Sequence, residues 1–130
     1  MSGKSNKKDD SMILIIDDDS RNVFALEMTL KARGYKFLSC QTAAEGLEIL
    51  AQDDRISLVL MDIMMPEMDG YEAIRMIRSS TLYPDVPIVA VTARAMVGDR
   101  EKCLEAGASD YIKKPVDVDK LMEIIKDRIR

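Results

Sequence analysis

Leu58-Val59-Leu60-Met61-Asp62 runs into Ile63-Met64-Met65-Pro66-Glu67-Met68-Asp69-Gly70. Leu58–Met61 is apolar at every position, with no alternation, so it reads as a strand buried on both faces that stops at a carboxylate. Pro66 and Gly70 punctuate the stretch that follows as a loop. A helix then runs to about Arg78, with Ile74 and Ile77 on its inner face. A strand with no polar face belongs in the interior of a parallel sheet covered by helices on both sides.

The same unit recurs in both directions along the chain. Upstream, Met12–Ile16 is rich in β-branched residues and ends at Asp17-Asp18-Asp19. Ser20 is placed to cap a helix running to Arg33, which Gly34 stops. Lys36–Cys40 reads as a second short strand. Thr42 and Glu45 form a capping box that opens a helix to about Gln52. Gly46 inside that helix costs roughly 1 kcal/mol against Ala. Downstream, a link holding Pro84 and Pro87 leads to a fourth apolar strand, Ile88–Val91, which ends at Thr92. A helix from about Val97 to Ala106 stops at Gly107. Asp110–Lys113 is a short fifth strand, Lys114-Pro115 breaks it, and Asp117 caps a last helix. Strands and helices alternate throughout, five of each, which predicts an α/β fold: a doubly wound five-stranded parallel sheet.

Composition agrees with one such domain. The chain has 130 residues, 47% of them hydrophobic and 32% charged, which are globular proportions. Its net charge of −4 disfavours nucleic acid or an anionic membrane as the main partner. With no Trp, four Tyr and two Phe, a base-stacking platform is not expected. With no His, Ser-His-Asp and Cys-His chemistry and imidazole-ligated metals are excluded. Cys40 and Cys103 form no C-x-x-C motif and read as reduced thiols packed as small hydrophobes. Met12–Ile16, the longest strongly apolar run, is far below the ~18 residues that span a bilayer. No membrane insertion and a cytoplasmic location are expected. Residues 1–11 are polar and mixed in charge, and read as a disordered tail or an expression remnant, with the domain covering 12–130.

The chemistry gathers at one edge of the sheet. Strand one ends in Asp17-Asp18, strand three in Asp62, strand four in Thr92 and strand five in Lys114. Open parallel sheets bind ligands at this carboxyl edge, near the point where strand order reverses. With order 2-1-3-4-5, strands one, three, four and five are contiguous and all five side chains converge. Taken singly, each residue has an ordinary explanation: a solvated turn, loop chemistry, a helix cap, a surface lysine. Independent accidents would not put all of them at the same edge. Like charges ~4 Å apart repel by about 4 kcal/mol at an effective dielectric near 20, so three clustered carboxylates require a cation. Oxygen ligands without His or a usable Cys point to Mg²⁺ over zinc. An Asp carboxylate can attack phosphorus to give an aspartyl phosphate, with Mg²⁺ and Lys114 balancing the charge on the moving phosphoryl oxygens.

The stretches ILIIDDDSRN, LVLMDIMMPEMDG, PIVAVTARA and GASDYIKKPV resemble the receiver domain of two-component response regulators, in order and spacing, from about Met12 onward. The resemblance implies a flavodoxin-like (βα)5 fold of strand order 2-1-3-4-5. It implies that Asp62 accepts a phosphoryl group from a partner phosphohistidine on a histidine kinase or histidine phosphotransfer domain. Asp17 and Asp18 correspond to the Mg²⁺-binding acidic pair, Asp18 being the direct ligand, and the Met64 backbone carbonyl to a further ligand. Thr92 corresponds to the hydroxyl that follows the phosphoryl group, Lys114 to the lysine that contacts it, and Tyr111 to the aromatic that changes rotamer on activation. The Lys114–Pro115 bond corresponds to one that is cis. A downstream protein would read the face made by the fourth helix, fifth strand and fifth helix. The absence of His independently requires the donor to be another domain or protein. Such a chain is a signalling switch with weak self-catalysed phosphoryl chemistry, not a turnover enzyme. It fits a stand-alone regulator, a phosphorelay intermediate or the receiver of a hybrid kinase.

Two other readings compete. Asp17-x-Asp19 after an apolar strand partly resembles a Mg²⁺-dependent phosphatase of haloacid dehalogenase type, which would carry the phosphoryl group on Asp17. Arg21 stands where that pattern wants Thr or Val. A flavodoxin-like flavin binder would need a Gly/Ser/Thr phosphate loop where this chain has carboxylates. Three further features follow from position. Asn22, Ala25 and Thr29 share a stripe on the first helix beside the site, suited to donor docking, while Val23, Leu26 and Leu30 face inward. The resemblance gives Asp19 no role, and it reads as part of a solvated turn and helix N-terminus, where negative charge is favoured. Met64 and Arg94 flank the path of a hydrolytic water and offer it no base, which predicts a long-lived phosphoryl group.

Overall fold

A computed structural model describes residues 11–66, 68–93 and 98–129. Its elements, in chain order, are β1 (Met12–Ile16), α1 (Ser20–Ala32), β2 (Lys36–Cys40), α2 (Ala43–Gln52) and β3 (Ile56–Asp62), then α3 (Gly70–Ser79), β4 (Ile88–Thr92), α4 (Asp99–Ala106), β5 (Asp110–Lys113) and α5 (Val118–Arg128). The strands form one parallel sheet of order β2-β1-β3-β4-β5.

The unbroken apolar strands explain the layering. Leu14 and Ile16 of β1, Val59 and Met61 of β3, and Ala90 of β4 face one way, onto Ala43 and Leu50 of α2, Ile74 and Ile77 of α3, and Cys103 and Ala106 of α4. The alternate residues Ile13, Ile15, Leu58, Leu60, Val89 and Val91 face the other way, onto Leu26 and Leu30 of α1 and Leu121 and Ile125 of α5. Period-two alternation in a strand apolar on both faces therefore builds two cores on one sheet. Burying one such Leu or Ile side chain contributes about 1.5–3 kcal/mol.

Local chemistry sets the element ends. One half of the capping box of α2 is present, Thr42 Oγ1 accepting from Glu45 N at 3.1 Å, while Glu45 Oε1 reaches one residue further back and accepts from Gln41 N at 3.2 Å. Asp117 caps α5 as expected. The cap of α1 is Asp19, not Ser20: its carboxylate accepts from Arg21 N at 3.1 Å. A negative charge there also meets the positive end of the helix, as expected of an acidic residue at a helix N-terminus. Strand β3 begins two residues before the expected start, because Ile56 pairs with Met12. The expected start of α4 at about Val97, and Arg94 itself, lie outside the described residues, as does nearly all of the expected tail at 1–11. The Lys114–Pro115 peptide is cis.

Two glycines are required by close approach. A Cβ on Gly46 would run into the Ile16 side chain, which explains the low-propensity residue inside α2. A Cβ on Gly70 would sit 2.6 Å from Ile63 Cα and 2.7 Å from Asp62 O, so the start of α3 presses directly on the end of β3.

The opposite end of the sheet is tied by Arg78. Its Nε donates to Gly107 O at 2.8 Å, and Nη1 donates to Pro84 O at 2.8 Å and Val86 O at 2.7 Å. These bonds join the end of α3 to the loops entering β4 and β5. Among the described residues, no helix is long and apolar enough to cross a membrane.

Candidate functional site

The carboxyl ends of β1, β3 and β4 and the residue after β5 meet in one acidic recess. Asp17 N donates to Cys40 O at 3.1 Å, so the chain is still held by the sheet when it reaches Asp17. The Asp17 side chain is only 2% exposed. Its Oδ1 accepts from Asp19 N at 2.9 Å, and its Oδ2 accepts from Asn22 Nδ2 at 2.6 Å. Asp62 ends β3 beside Val91 and is 3% exposed. Its Oδ1 accepts from Met64 N at 3.1 Å. Thr92 ends β4 and is also buried.

Backbone pairing carries Lys114 to this recess. Lys114 N donates to Thr92 O at 2.7 Å, extending the β4–β5 ladder by one residue. Lys114 Nζ then lies 3.2 Å from Asp17 Oδ2 and 3.6 Å from Asp62 Oδ1. Asp18 is exposed, yet it offers an oxygen to a set in which ligand atoms of Asp17, Asp18 and Asp62 all lie within 4.8 Å of one another. Four of the five side chains expected at the carboxyl edge, Asp17, Asp18, Asp62 and Lys114, are thus brought together, and Thr92 ends the strand that pairs with that of Asp62.

The electrostatics are those of an under-compensated cluster. Burial, then the neighbouring Asp17 charge, pushes the Asp62 carboxyl up to about 7, while Lys114 and the Met64 N–H pull it down. Among the described residues, Lys114 is the cation ion-paired within the cluster, and it meets two of the three carboxylates, Asp17 and Asp62. An all-oxygen donor set of this kind fits a hard divalent cation and suits zinc poorly.

Tyr111 lies on β5 opposite Ala90, two residues before Thr92, so Tyr111 and Thr92 belong to the same side of the sheet. Tyr111 is half-buried against the core beneath α3 and α4. On α1, Leu26 and Leu30 are buried and Val23 is half-buried, as expected of an inward face. The expected docking stripe is not uniform. Ala25 is exposed and Thr29 half-buried, but Asn22 turns in to bind Asp17. This positioning role of Asn22 was invisible in the sequence, where only its place one turn after the acidic pair hinted at it.

The chain matches the family model "Response regulator receiver domain" over residues 13–126. The polar-differentiation response regulator DivK of Brucella anthropi is 34% identical over 114 residues, covering 88% of this chain and 92% of the relative. The sensor histidine kinase CheAY of Helicobacter pylori is 35% identical over 126 residues, covering 96% of this chain, which spans only 16% of that relative's length. The solved receiver domain of the sensor histidine kinase PA1611 from Pseudomonas aeruginosa PAO1 superposes with a TM-score of 0.83 at 35% identity, covering 92% of this chain and 97% of that one. That structure has a magnesium ion coordinated in its active site cleft. The matched family is the receiver and not the haloacid dehalogenase phosphatase, the alternative raised by Asp17-x-Asp19. The chain belongs to the response regulator receiver domain family.

Proposed function

We propose that residues 12–130 form a receiver whose Asp62 accepts a phosphoryl group from a phosphohistidine, and that the modified site switches a protein-interaction surface. The observation that carries this is the placement of Asp62: 3% exposed, at the end of a central strand, with Lys114 Nζ 3.6 Å away and two further carboxylates around it. The chain has no His, so the phosphohistidine belongs to a histidine kinase or histidine phosphotransfer domain.

Asp62 Oδ1 is held by Lys114 and the Met64 N–H, so Oδ2 is the attacking oxygen. As the Oδ2–P bond forms, the P–N bond to the donor imidazole breaks and the nitrogen keeps the electron pair. Lys114 compensates charge on the phosphoryl oxygens, and Thr92 donates its hydroxyl to one of them. Asp17, Asp18, Asp62 and the Met64 carbonyl would hold Mg²⁺, which supplies two positive charges and open positions for phosphoryl oxygen. Asn22 and the Asp19 N–H fix the Asp17 carboxylate in place for that task.

Drawing Thr92 toward the phosphoryl group vacates space on the side of the sheet where Tyr111 packs. Tyr111 turns into it and remodels the face of α4, β5 and α5, which a downstream protein reads. The protein is then a cytoplasmic switch whose chemistry is weak self-catalysed phosphorylation and dephosphorylation. The test is phosphorylation by phosphoramidate with and without chelator. Labelling that stops in EDTA and returns with Mg²⁺ supports the reading, and full-rate labelling in EDTA refutes the metal's part in it.

A further inference from the structure

A cavity of about 310 Å³ opens beside the acidic recess. Its walls are the first turn of α2, with Thr42 and Ala44, and the loop from β3 to α3, with Met65, Pro66 and Met68; Asp18 stands at its edge. That volume is at the small end of cavities that hold ligands. Asp18, Gln41 and the Thr42 cap are its polar members, and the rest of the wall is methyl, thioether and pyrrolidine groups from Ala43, Ala44, Met65, Pro66 and Met68. The ends of the loop are fixed: Gly70 N donates to Ile63 O at 2.9 Å, and the Asp69 carboxylate caps α3 by accepting from Glu72 N at 2.8 Å. Met65 of this loop is buried in the core, and its neighbour Met64 is 49% exposed.

An apolar hollow beside three carboxylates is of no use to the cation site. It lies on the rim that an incoming donor must cover. Asp62 is 3% exposed, so a phosphohistidine reaches it only by descending into the recess, which presses the donor surface onto the surrounding loops. A small phosphodonor has no body to reach from Asp62 to the cavity, whereas a protein does. Methionine walls adapt to side chains of different shape, which suits an anchor pocket.

We propose that this cavity is the anchor site for an apolar side chain, of Leu, Ile, Met or Phe type, that the phosphodonor protein carries beside its phosphohistidine. The proposal rests on the phosphoacceptor reading above. The cavity determines donor recognition and takes no part in the transfer itself.

The test compares two donors on the same variants: a phosphorylated histidine phosphotransfer domain chosen for measurable transfer to the unaltered protein, and phosphoramidate. Ala44 is exposed at the cavity rim, so Ala44→Trp fills the space without entering the core. Met68→Ala enlarges it instead, and Ala44→Ser leaves it open. Ala44→Trp should reduce kcat/KM for the protein donor by about tenfold, mostly through KM, as loss of a buried anchor does. Met68→Ala should reduce it in the same direction, and Ala44→Ser should transfer at the parental rate. Phosphoramidate labelling of all three should stay within about twofold, which also reports that each is folded. Parental transfer from the protein donor to Ala44→Trp and Met68→Ala would overturn the anchor, and so would equal slowing with both donors. Absence of label on the unaltered protein from either donor would instead overturn the phosphoacceptor reading, and the anchor with it.

Discussion

Replacing Asp62 by Asn should stabilise the metal-free protein while removing its proposed function. Asp62 is 3% exposed, and its carboxylate lies within 4.8 Å of that of Asp17. Two unit charges at that separation repel by about 3 kcal/mol at an effective dielectric near 20. Burial adds to that repulsion and Lys114 offsets part of it; a carboxyl raised from 3.8 to about 7 by the balance implies about 4 kcal/mol for holding Asp62 ionised in the folded state. Asn keeps an oxygen for the Met64 N–H, but its amide must find acceptors in place of water, at about 1–2 kcal/mol. A net gain of about 2 kcal/mol remains, which raises Tm by roughly 6–10 °C in a domain of this size. The sign with pH follows from the raised value. The folded state holds the Asp62 proton more tightly than the unfolded state, so the parent loses stability as pH rises through the window between 3.8 and about 7. The variant lacks that group, so the gap is widest above pH 7 and narrows toward pH 4. Mg²⁺ stabilises the parent by mass action and narrows the gap from the other side. The assay is thermal unfolding of both proteins in EDTA at pH 7.5 and pH 4.5, then at pH 7.5 with Mg²⁺. A variant no more stable than the parent at pH 7.5 in EDTA, or a gap that does not shrink on acidification, refutes the reasoning.

Gly70→Ala should destabilise the fold by about 2 kcal/mol or more and slow phosphorylation, because the new Cβ meets the backbone of Ile63 and Asp62 at 2.6 and 2.7 Å; urea unfolding and phosphoramidate labelling measure the two effects. Arg78→Ala should lose about 3 kcal/mol in urea unfolding, since the carbonyls of Pro84, Val86 and Gly107 lose their donor. Its labelling rate in the folded state should be unchanged, because Arg78 lies at the far end of the sheet. Thr92→Ala should still be labelled at Asp62, while the amide NMR shifts around Tyr111 on adding beryllofluoride fall well short of the parental change; a full parental shift pattern would show that the switch bypasses Thr92.

Legibility tracked how local each signal is. Leu58–Met61 has no polar face, so burial on both sides, a parallel sheet and covering helices follow from that run alone. The candidate site was legible because strand ends are marked in the chain by Asp17, Asp62, Thr92 and Lys114, and topology does the rest. What stayed hidden depends on three-dimensional proximity. Arg78 binds carbonyls from loops that sit six to twenty-nine residues away, and one arginine at the end of an amphipathic helix announces none of them. Asn22 looked like part of an outer stripe until Asp17 was placed within 2.6 Å of it. Ser20 and Asp19 are both good caps, and only backbone geometry at Asp19 decides between them. The cavity by Asp18 is made by residues more than twenty positions apart, Gln41 to Ala44 on one side and Met65, Pro66 and Met68 on the other, so no sequence pattern outlines it.

The central claim is that Asp62 carries the phosphoryl group. The most direct measurement is mass-spectrometric mapping after transfer from a phosphorylated histidine phosphotransfer domain in Mg²⁺, with the aspartyl phosphate reduced by borohydride to fix its position. A single modified residue, Asp62, is expected, with no label on Asp62→Asn. Label on Asp17, or undiminished label on Asp62→Asn, would contradict it.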